Sequence, residues 1–121
     1  MTTSVIFGGS GFLGSHLCTR LLSEGHTVIC VDNFSSGSRA NLSQITHKSE
    51  LTVVEHDISE PISLDVDPDE IYQLASRASP ADFEEYPIEI AMSNSVGTKH
   101  VLDLAVESDA KVLVASTSEV Y

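Results

Sequence analysis

The residues Phe7-Gly8-Gly9-Ser10-Gly11-Phe12-Leu13-Gly14 separate an apolar run from a helical repeat of leucines. The run before them, Ser4-Val5-Ile6-Phe7, predicts a short buried strand. Leu13, Leu17 and Leu21 then recur at helical spacing. The glycines therefore lie at a strand-to-helix turn, with the spacing Gly-x-x-Gly-x-x-Gly, and this is the context that a dinucleotide-binding fingerprint requires.

Each of the three spaced glycines has a predicted role in that turn. Gly8 permits the tight turn, Gly11 lets a pyrophosphate approach the backbone, and Gly14 lets the helix pack close on the strand. The free N–H groups and the dipole at the start of the helix favour a bound phosphate. The stretch therefore predicts a phosphate-binding turn.

A second apolar strand, Thr27–Val31, leads to the carboxylate of Asp32. Asp32 follows Gly11 by 21 residues, close to the spacing of the acid that binds a ribose in dinucleotide-binding folds. Because a carboxylate accepts a hydrogen bond from the ribose 2′-OH and repels a 2′-phosphate, Asp32 predicts NAD rather than NADP. The next loop offers Asn33 and Ser35 to the same ribose. The alternative interpretation is a glycine-rich turn and a surface aspartate without a ligand.

The chain is strongly acidic, with 18 acids against 6 bases and a net charge of −12 over 121 residues. So few bases cannot form a basic patch, which excludes nucleic-acid binding as a function class. Two interpretations of the acidity stay open. The favoured one is a halophilic protein whose acidic surface keeps it soluble at high salt, and the other is a merely acidic protein.

The length predicts one domain, and further features favour a cytoplasmic protein. The chain has no apolar segment long enough for a membrane span, and its N-terminus lacks the basic-then-apolar pattern of a signal peptide. Cys18 and Cys30 are expected to be small buried hydrophobes rather than a disulfide framework. The five histidines show no metal-ligand spacing, so we expect no metal site.

Strands and helices alternate along the chain, which predicts a parallel sheet with right-handed crossovers. We expect a short helical or irregular piece over 39–46 and one long helix over 88–107. The predicted fold class is an open α/β sheet of the Rossmann type, in the strand order 3-2-1-4-5, with flanking helices. The predicted strands are Ser4–Phe7, Thr27–Asp32, Leu51–Glu55, Glu70–Leu74 and Lys111–Ala115.

Loops at the carboxyl ends of these strands should hold the ligand, with the crevice between strands one and four at the centre. Five separate segments of the chain meet at this edge of the predicted sheet. They are Gly9 to Leu13, Asp32 to Ser35, Asp57-Ile58, Leu74 to Ser76 and Ser116-Thr117.

The sequence resembles the extended short-chain dehydrogenase/reductase group, the NAD-dependent sugar epimerases and dehydratases. The matching segments are the glycine loop Gly8–Gly14, the strand end Val31-Asp32-Asn33-Phe34, and the block Ala115–Tyr121, which in that group carries the active-site serine or threonine. Tyr72–Pro80 is most similar to UDP-glucuronate decarboxylases. The resemblance implies NAD as cofactor and a nucleotide sugar as substrate. The alternative substrate classes are those of UDP-glucose 4-epimerase and dTDP-glucose 4,6-dehydratase.

The resemblance also implies roles for individual residues around the cofactor. Asp57 and Ile58 would border the adenine, whereas Leu74, Ala75 and Ser76 would line the phosphates and the nicotinamide-side ribose. The complete predicted cofactor-binding set is Gly8, Gly11, Phe12, Leu13, Gly14, Asp32, Asn33, Ser35, Asp57, Ile58, Leu74, Ala75, Ser76 and Ser116.

Two residues of the last block have implied catalytic roles. Thr117 would hydrogen-bond the sugar hydroxyl that is oxidised, and Glu119 stands where some decarboxylases and dehydratases use an acid. In the decarboxylase pattern, NAD takes a hydride from sugar C4, the resulting 4-keto sugar loses CO₂, and the hydride returns.

The family's general base is a tyrosine in a Tyr-x-x-x-Lys motif on a helix after the Thr117 block, and these 121 residues contain no such motif. We therefore expect an NAD-binding domain over 1–121 that is incomplete after strand five, without the catalytic helix and the sugar-nucleotide domain. One hypothesis is an enzyme of the family completed by a separate polypeptide. The other is a non-catalytic NAD-binding module or remnant, whose exposed fifth strand would invite self-association.

Overall fold

Five short segments of the chain form one sheet in the computed structural model. They are β1 (Thr3–Phe7), β2 (Thr27–Asp32), β3 (Leu51–Glu55), β4 (Glu70–Gln73) and β5 (Lys111–Val114). All neighbouring strands are parallel, and their order is β3-β2-β1-β4-β5. The predicted fold class and strand order are therefore confirmed. The structure describes residues 2–34, 39–43, 45, 48–75, 84–85 and 87–115.

Helical segments connect the strands. α1 (Phe12–Ser23) follows β1, α2 (Arg39–Ser43) follows β2, and a single 3-10 turn (Lys48–Glu50) precedes β3. The predicted helix over 88–107 is helical throughout, but its geometry is not uniform. It consists of α3 (Pro87–Met92), a wider π-helical turn (Ser93–Gly97) and α4 (Thr98–Ser108).

Two predicted strands end one residue earlier than expected, β4 at Gln73 and β5 at Val114. One backbone hydrogen bond still follows each end. The N–H of Leu74 donates to the carbonyl of Phe7 at 2.9 Å, and the N–H of Ala115 donates to the carbonyl of Gln73 at 3.0 Å. The difference is therefore a matter of where the ladder stops and not of which segments pair.

Apolar side chains of the central strands alternate between two faces, and helices cover both. Val5 and Phe7 of β1 lie on the α4 side, and Ile6 between them lies on the α1 side. The buried cluster on the α4 side comprises Val5, Phe7, Ile29, Val31, Ile58, Ile71, Val101, Leu104 and Ala105. The buried cluster on the α1 side comprises Ile6, Cys18, Leu21, Leu22, Val28, Cys30, Leu42 and Ile45. The central strands are therefore buried on both faces, as is usual in a parallel sheet.

A polar network joins the amino ends of the strands, on the opposite edge from the glycine turn. The fully buried hydroxyl of Ser4 lies 2.9 Å from Nδ1 of His26 and donates to Oε1 of Glu70 at 3.2 Å. The network ties β1 and β4 to the turn before β2.

Candidate functional site

The glycine turn after β1 is held by the backbone around it. Gly8 has a left-handed φ of +84° and donates its N–H to the carbonyl of Val31 at 2.8 Å. Its own carbonyl accepts from the N–H of Gly11 at 3.2 Å. A Cβ at Gly8 would lie 2.7 Å from the carbonyl carbon of Leu74. Glycine is therefore required at position 8 for its conformation and for the close approach of the segment after β4.

Gly14 and Gly11 have different surroundings. A Cβ at Gly14 would overlap the carbonyl oxygen of Gly8, so α1 begins in direct contact with the glycine turn. At Gly11 the nearest described atom to such a Cβ is the same oxygen, at an ordinary 3.5 Å, and the backbone is extended with φ −75° and ψ −178°. Packing within the described residues therefore does not require glycine at position 11, and the open space suits the approach of a ligand.

Gly9 makes a third close contact, which the sequence did not indicate. A Cβ there would overlap Sγ of Cys30 on β2 and would lie 3.4 Å from Sγ of Cys18 on α1. Both thiols are free and fully buried, which confirms the prediction for the two cysteines. The neighbouring Cys18 thiol, followed by burial, raises the pKa of the Cys30 thiol far above its usual value. The two thiols therefore lie directly beneath the glycine turn, and the Cys30 thiol stays uncharged there.

The amino end of α1 opens from this turn. The N–H of Ser15 donates to the carbonyl of Gly11 at 2.9 Å, so the N–H groups before it have no acceptor within the helix. The side chains of Phe12 and Leu13 are 75% and 68% exposed, and no residue of the first turn is acidic. The Phe12 ring packs edge-on against His16, with 4.8 Å between ring centroids. Such a helix end can bind an anionic group such as a pyrophosphate.

Asp32, at the end of β2, is hydrogen-bonded to the glycine turn. Its Oδ2 accepts from the N–H of Ser10 at 3.0 Å and from the hydroxyl of Ser10 at 2.6 Å. Its Oδ1 accepts from the N–H of Phe34 at 2.8 Å, and Phe34 itself has a left-handed φ of 59°. The structure thus brings together the two halves of the predicted fingerprint. Ser10, which the sequence did not single out as a binding residue, joins them.

Helix α2 reaches the same turn through Asn41. The Nδ2 of Asn41 donates to the carbonyl of Ser10 at 2.8 Å. The next residue, Leu42, is buried in the cluster on the α1 side, so α2 is anchored while it contacts the turn. Asn33 also lies at this edge, with an exposed side chain.

Asp57 and Ile58 follow β3 and lie in different environments. Asp57 is exposed, and its Oδ1 accepts from the N–H and the hydroxyl of Ser59 at 2.9 Å and 2.8 Å. Ile58 is buried in the cluster on the α4 side, and a Cβ at Gly97 would lie 2.8 Å from its Cγ2. The position of these two residues beside an adenine stays a prediction.

Leu74 and Ala75 leave β4 beside the glycine turn, and both are half-buried. The N–H of Ala75 donates to Oε1 of Gln73 at 2.9 Å, and Gln73 is only 4% exposed. This buried amide therefore shapes the start of the segment, a role that the sequence did not indicate. Gly8 lies against Leu74, so the glycine turn and this segment meet where the neighbouring strands β1 and β4 end.

The remaining predicted site residues lie outside the described part of the chain. They are Ser35, Ser76, Ser116, Thr117 and Glu119. Among the described residues, no three His, Cys, Asp or Glu side chains are grouped so that they could hold a metal ion. The helices within the described ranges are each too short or too polar to cross a membrane.

The sequence of the chain is also similar to known protein families. The NAD dependent epimerase/dehydratase family matches residues 4–121. The chain belongs to this family. UDP-glucuronic acid decarboxylase 1 from Danio rerio is 43% identical over 117 residues, which make up 97% of this chain and 28% of that protein. UDP-glucuronic acid decarboxylase 2 from Arabidopsis thaliana is 44% identical over 117 residues, 97% of this chain and 26% of that protein.

The fold of this family member also agrees with solved structures. A crystal structure of a UDP-galactose 4-epimerase matches it with a TM-score of 0.85 and 30% identity, over 99% of this chain and 40% of the other. The resemblance that the sequence motifs indicated is therefore confirmed at the level of the family. The chain spans about a quarter of the length of the two decarboxylases.

Proposed function

We propose that this chain binds NAD and forms the cofactor-binding part of an enzyme that acts on a nucleotide sugar, most like a UDP-glucuronate decarboxylase. One observation carries the proposal: Ser10 joins the Asp32 carboxylate to the glycine turn in one hydrogen-bonded site. The carboxylate of Asp32 offers a contact to an adenine ribose, and the neighbouring amino end of α1 offers its N–H groups to a pyrophosphate. Membership of an NAD-dependent family supports the same ligand.

The described residues fit the parts of that cofactor. The N–H groups of Phe12 and Leu13 at the start of α1 would bind the pyrophosphate, and Gly11 would leave room for it. Asp32 would accept from the adenine ribose, with Asn33 beside it. When bound, NAD supplies a reversible hydride acceptor, while the protein holds and orients it.

Further residues complete the proposed cofactor site. Asp57 and Ile58 would border the adenine, and Leu74 and Ala75 would line the crevice near the phosphates. The hydrogen bond from the N–H of Leu74 to the carbonyl of Phe7 supports this assignment, because it holds the segment beside the glycine turn.

The names of the relatives support the proposed substrate class. The proteins at 43% and 44% identity are UDP-glucuronic acid decarboxylases, which favours a UDP-linked sugar acid. The solved structure at 30% identity is a UDP-galactose 4-epimerase, which keeps an epimerase as the alternative, alongside a dehydratase. In either case we assign Thr117 to the sugar hydroxyl that is oxidised and Glu119 to acid chemistry.

A second candidate function is a non-catalytic NAD-binding module, which the exposure of the fifth strand favours. Among the described residues β5 pairs with β4 and forms one edge of the sheet, and Leu113 on it is 52% exposed. An exposed apolar edge strand is suited to pair with another segment. In the catalytic case, a polypeptide outside residues 1–121 would supply the base and cover β5. In the non-catalytic case, a second copy of the chain would cover it.

Location and solvent also belong to the proposal. The two free, buried thiols suit a reducing compartment such as the cytoplasm. The net charge of −12 suits a cytoplasm of high salt content, where a dense acidic surface keeps a protein soluble.

Calorimetric titration of the 121-residue chain with NAD tests the cofactor proposal, in low salt and in molar salt. We expect saturable binding that Asp32→Ala weakens about tenfold or more, because hydrogen bonds to a charged group are lost. The variant should also lose its preference for NAD over NADP, since the repulsion of a 2′-phosphate disappears.

Asp69→Ala is the matched control. Asp69 also accepts a backbone N–H, from Thr3 at 2.9 Å, but it lies at the opposite edge of the sheet. This variant should bind NAD like the unmodified chain. A folded chain that binds no NAD in either salt would rule out the proposed function.

A further inference from the structure

We infer that Ser10 and Asn41 are positioning residues, which hold the Asp32 carboxylate in the orientation that receives the adenine ribose of NAD. The inference rests on the proposed function, because that function supplies the ligand. It concerns Ser10, which is buried in the glycine turn and hydrogen-bonded to Asp32, and Asn41 on α2, which is hydrogen-bonded to Ser10.

Ser10 binds Asp32 through two groups at once. The side chain of Ser10 is fully buried, and both its hydroxyl and its N–H donate to the single oxygen Oδ2 of Asp32. The hydroxyl bond, at 2.6 Å, has the short length of a charge-assisted hydrogen bond. The carboxylate is therefore fixed on the side of the glycine turn.

The hydrogen bonds from Ser10 and Phe34 decide which oxygen of Asp32 can accept a further hydrogen bond. A carboxylate has about four lone-pair positions, two on each oxygen. Ser10 takes both positions on Oδ2, and the N–H of Phe34 takes one on Oδ1. One position on Oδ1 is left by these bonds, and Asp32 is only half-buried, so this oxygen is the one that a ribose hydroxyl can reach.

Asn41 fixes Ser10 from the other side. Its amide donates to the Ser10 carbonyl at 2.8 Å, and Leu42 anchors α2 in the buried cluster on the α1 side. Beneath the turn, Gly9 rests on the thiol of Cys30. Asn41 thus holds the peptide after Ser10, and Cys30 packs against Gly9 in the peptide before it, so the two donors of Ser10 stay directed at Asp32.

A double-mutant cycle with NAD as the titrant separates positioning from a general effect on folding. Ser10→Ala should weaken NAD binding about tenfold in the unmodified chain, because one hydrogen bond to a charged acceptor is lost. In an Asp32→Ala background the same substitution should have no further effect, since the group that it positions is absent. Ser23→Ala, which removes an exposed hydroxyl at the far end of α1, is the matched control and should bind normally.

Asn41→Ala keeps the test decisive if Ser10→Ala does not fold. Asn41 is exposed, so its truncation should leave the chain folded and lower the thermal unfolding midpoint by no more than a few degrees. Introduced alone, Asn41→Ala should weaken NAD binding about threefold. Introduced together with Asp32→Ala, it should cause no further loss of NAD binding.

The outcomes separate the two proposals. If the unmodified chain does not bind NAD, the proposed function fails and this inference fails with it. If it binds NAD and Ser10→Ala and Asn41→Ala bind equally well, the proposed function stands and the inference is overturned. Equal losses with and without Asp32 would also overturn it, because they would assign both residues a role in the fold alone.

Discussion

A Cβ at position 14 would overlap the carbonyl oxygen of Gly8, whereas one at position 11 would touch the same oxygen at 3.5 Å. We therefore expect Gly14→Ala to lower the free energy of unfolding by about 1–3 kcal/mol through overpacking. Gly11→Ala should change it by less than about 1 kcal/mol, because the backbone there is unstrained. Its effect should appear in NAD binding, which the added methyl group should weaken. Urea unfolding and calorimetry on the two variants check both expectations.

The two glycines act as controls for each other, because they belong to one motif and receive the same substitution. Normal NAD binding by a folded Gly11→Ala chain would contradict the assignment of position 11 to the ligand. An unchanged unfolding midpoint for Gly14→Ala would contradict the close contact between α1 and the glycine turn.

The raised pKa of the Cys30 thiol predicts a loss of stability at alkaline pH. Above about pH 8.5 the thiol ionises in the unfolded chain but stays protonated in the folded one. The unfolded state then binds fewer protons, so the free energy of unfolding falls as pH rises, by up to about 1.4 kcal/mol per pH unit. The stabilisation is fully present below that pH.

Urea unfolding of Cys30→Ala between about pH 7.5 and 9.5 measures this contribution. The variant should be less stable at neutral pH and should show a smaller decline above about pH 8.5. Tyr72→Phe is the control. Burial, followed by the Glu70 carboxylate, raises the pKa of Tyr72 above its ordinary value of 10.0. Its phenol therefore ionises above the pH range of the experiment, and the variant should decline like the unmodified chain. Identical declines for Cys30→Ala and the unmodified chain would exclude the role of the thiol.

At the scale of the elements, the π-helical turn between α3 and α4 packs on the segment after β3. A Cβ at Gly97, in that turn, would lie 2.8 Å from Cγ2 of the buried Ile58. Gly97→Ala should therefore lower the free energy of unfolding by about 1–3 kcal/mol. Thermal and urea unfolding provide the measurement.

The cause can be isolated by combining that substitution with Ile58→Ala. Ile58→Ala alone should cost about 2–5 kcal/mol as a core truncation. In its background Gly97→Ala should cost much less, because the atom that the new methyl group meets is gone. Simple addition of the two costs would mean that the contact between the turn and Ile58 does not limit the packing of this helix.

At the scale of the whole molecule, 18 acids and 6 bases make repulsion the dominant surface interaction. The ion pairs Arg20–Glu24 and Lys99–Asp103 are exposed and offset little of it. Raising KCl from about 0.1 M to about 1 M shortens the screening length from about 10 Å to about 3 Å. We therefore expect the thermal unfolding midpoint to rise by several degrees over this range.

Amide substitutions at four exposed acids provide the matched comparison. Asp65→Asn, Asp67→Asn, Glu84→Gln and Glu85→Gln together keep side-chain size and remove four charges. The combined variant should be more stable than the unmodified chain at low salt and should gain less from added KCl. A midpoint that does not depend on salt in either protein would leave only the interpretation of a merely acidic protein.

The family and the sheet order followed from the sequence alone, and the sequence also predicted the edge of the sheet at which a ligand binds. The spacing of Gly8, Gly11 and Gly14, the carboxylate at Asp32 and the alternation of apolar strands with helices are local or periodic patterns. Such patterns can be read along the chain, because each depends on residues that are close in sequence or repeat regularly.

Other features depended on the tertiary structure: the close contact of Gly9 with Cys30, the two hydrogen bonds from Ser10 to Asp32, and the contact of Gly97 with Ile58. Each joins residues more than twenty positions apart, so the sequence around one residue does not indicate its partner. The sequence did not predict the π-helical turn either, because one wider turn barely alters the spacing of apolar residues along a helix. The sequence by itself determined which segments form the sheet, because short-range periodicity encodes them, and its glycine motif predicted where a ligand would lie. Only the packed structure decided which side chains orient the site, because distance in space and not order along the chain sets those contacts.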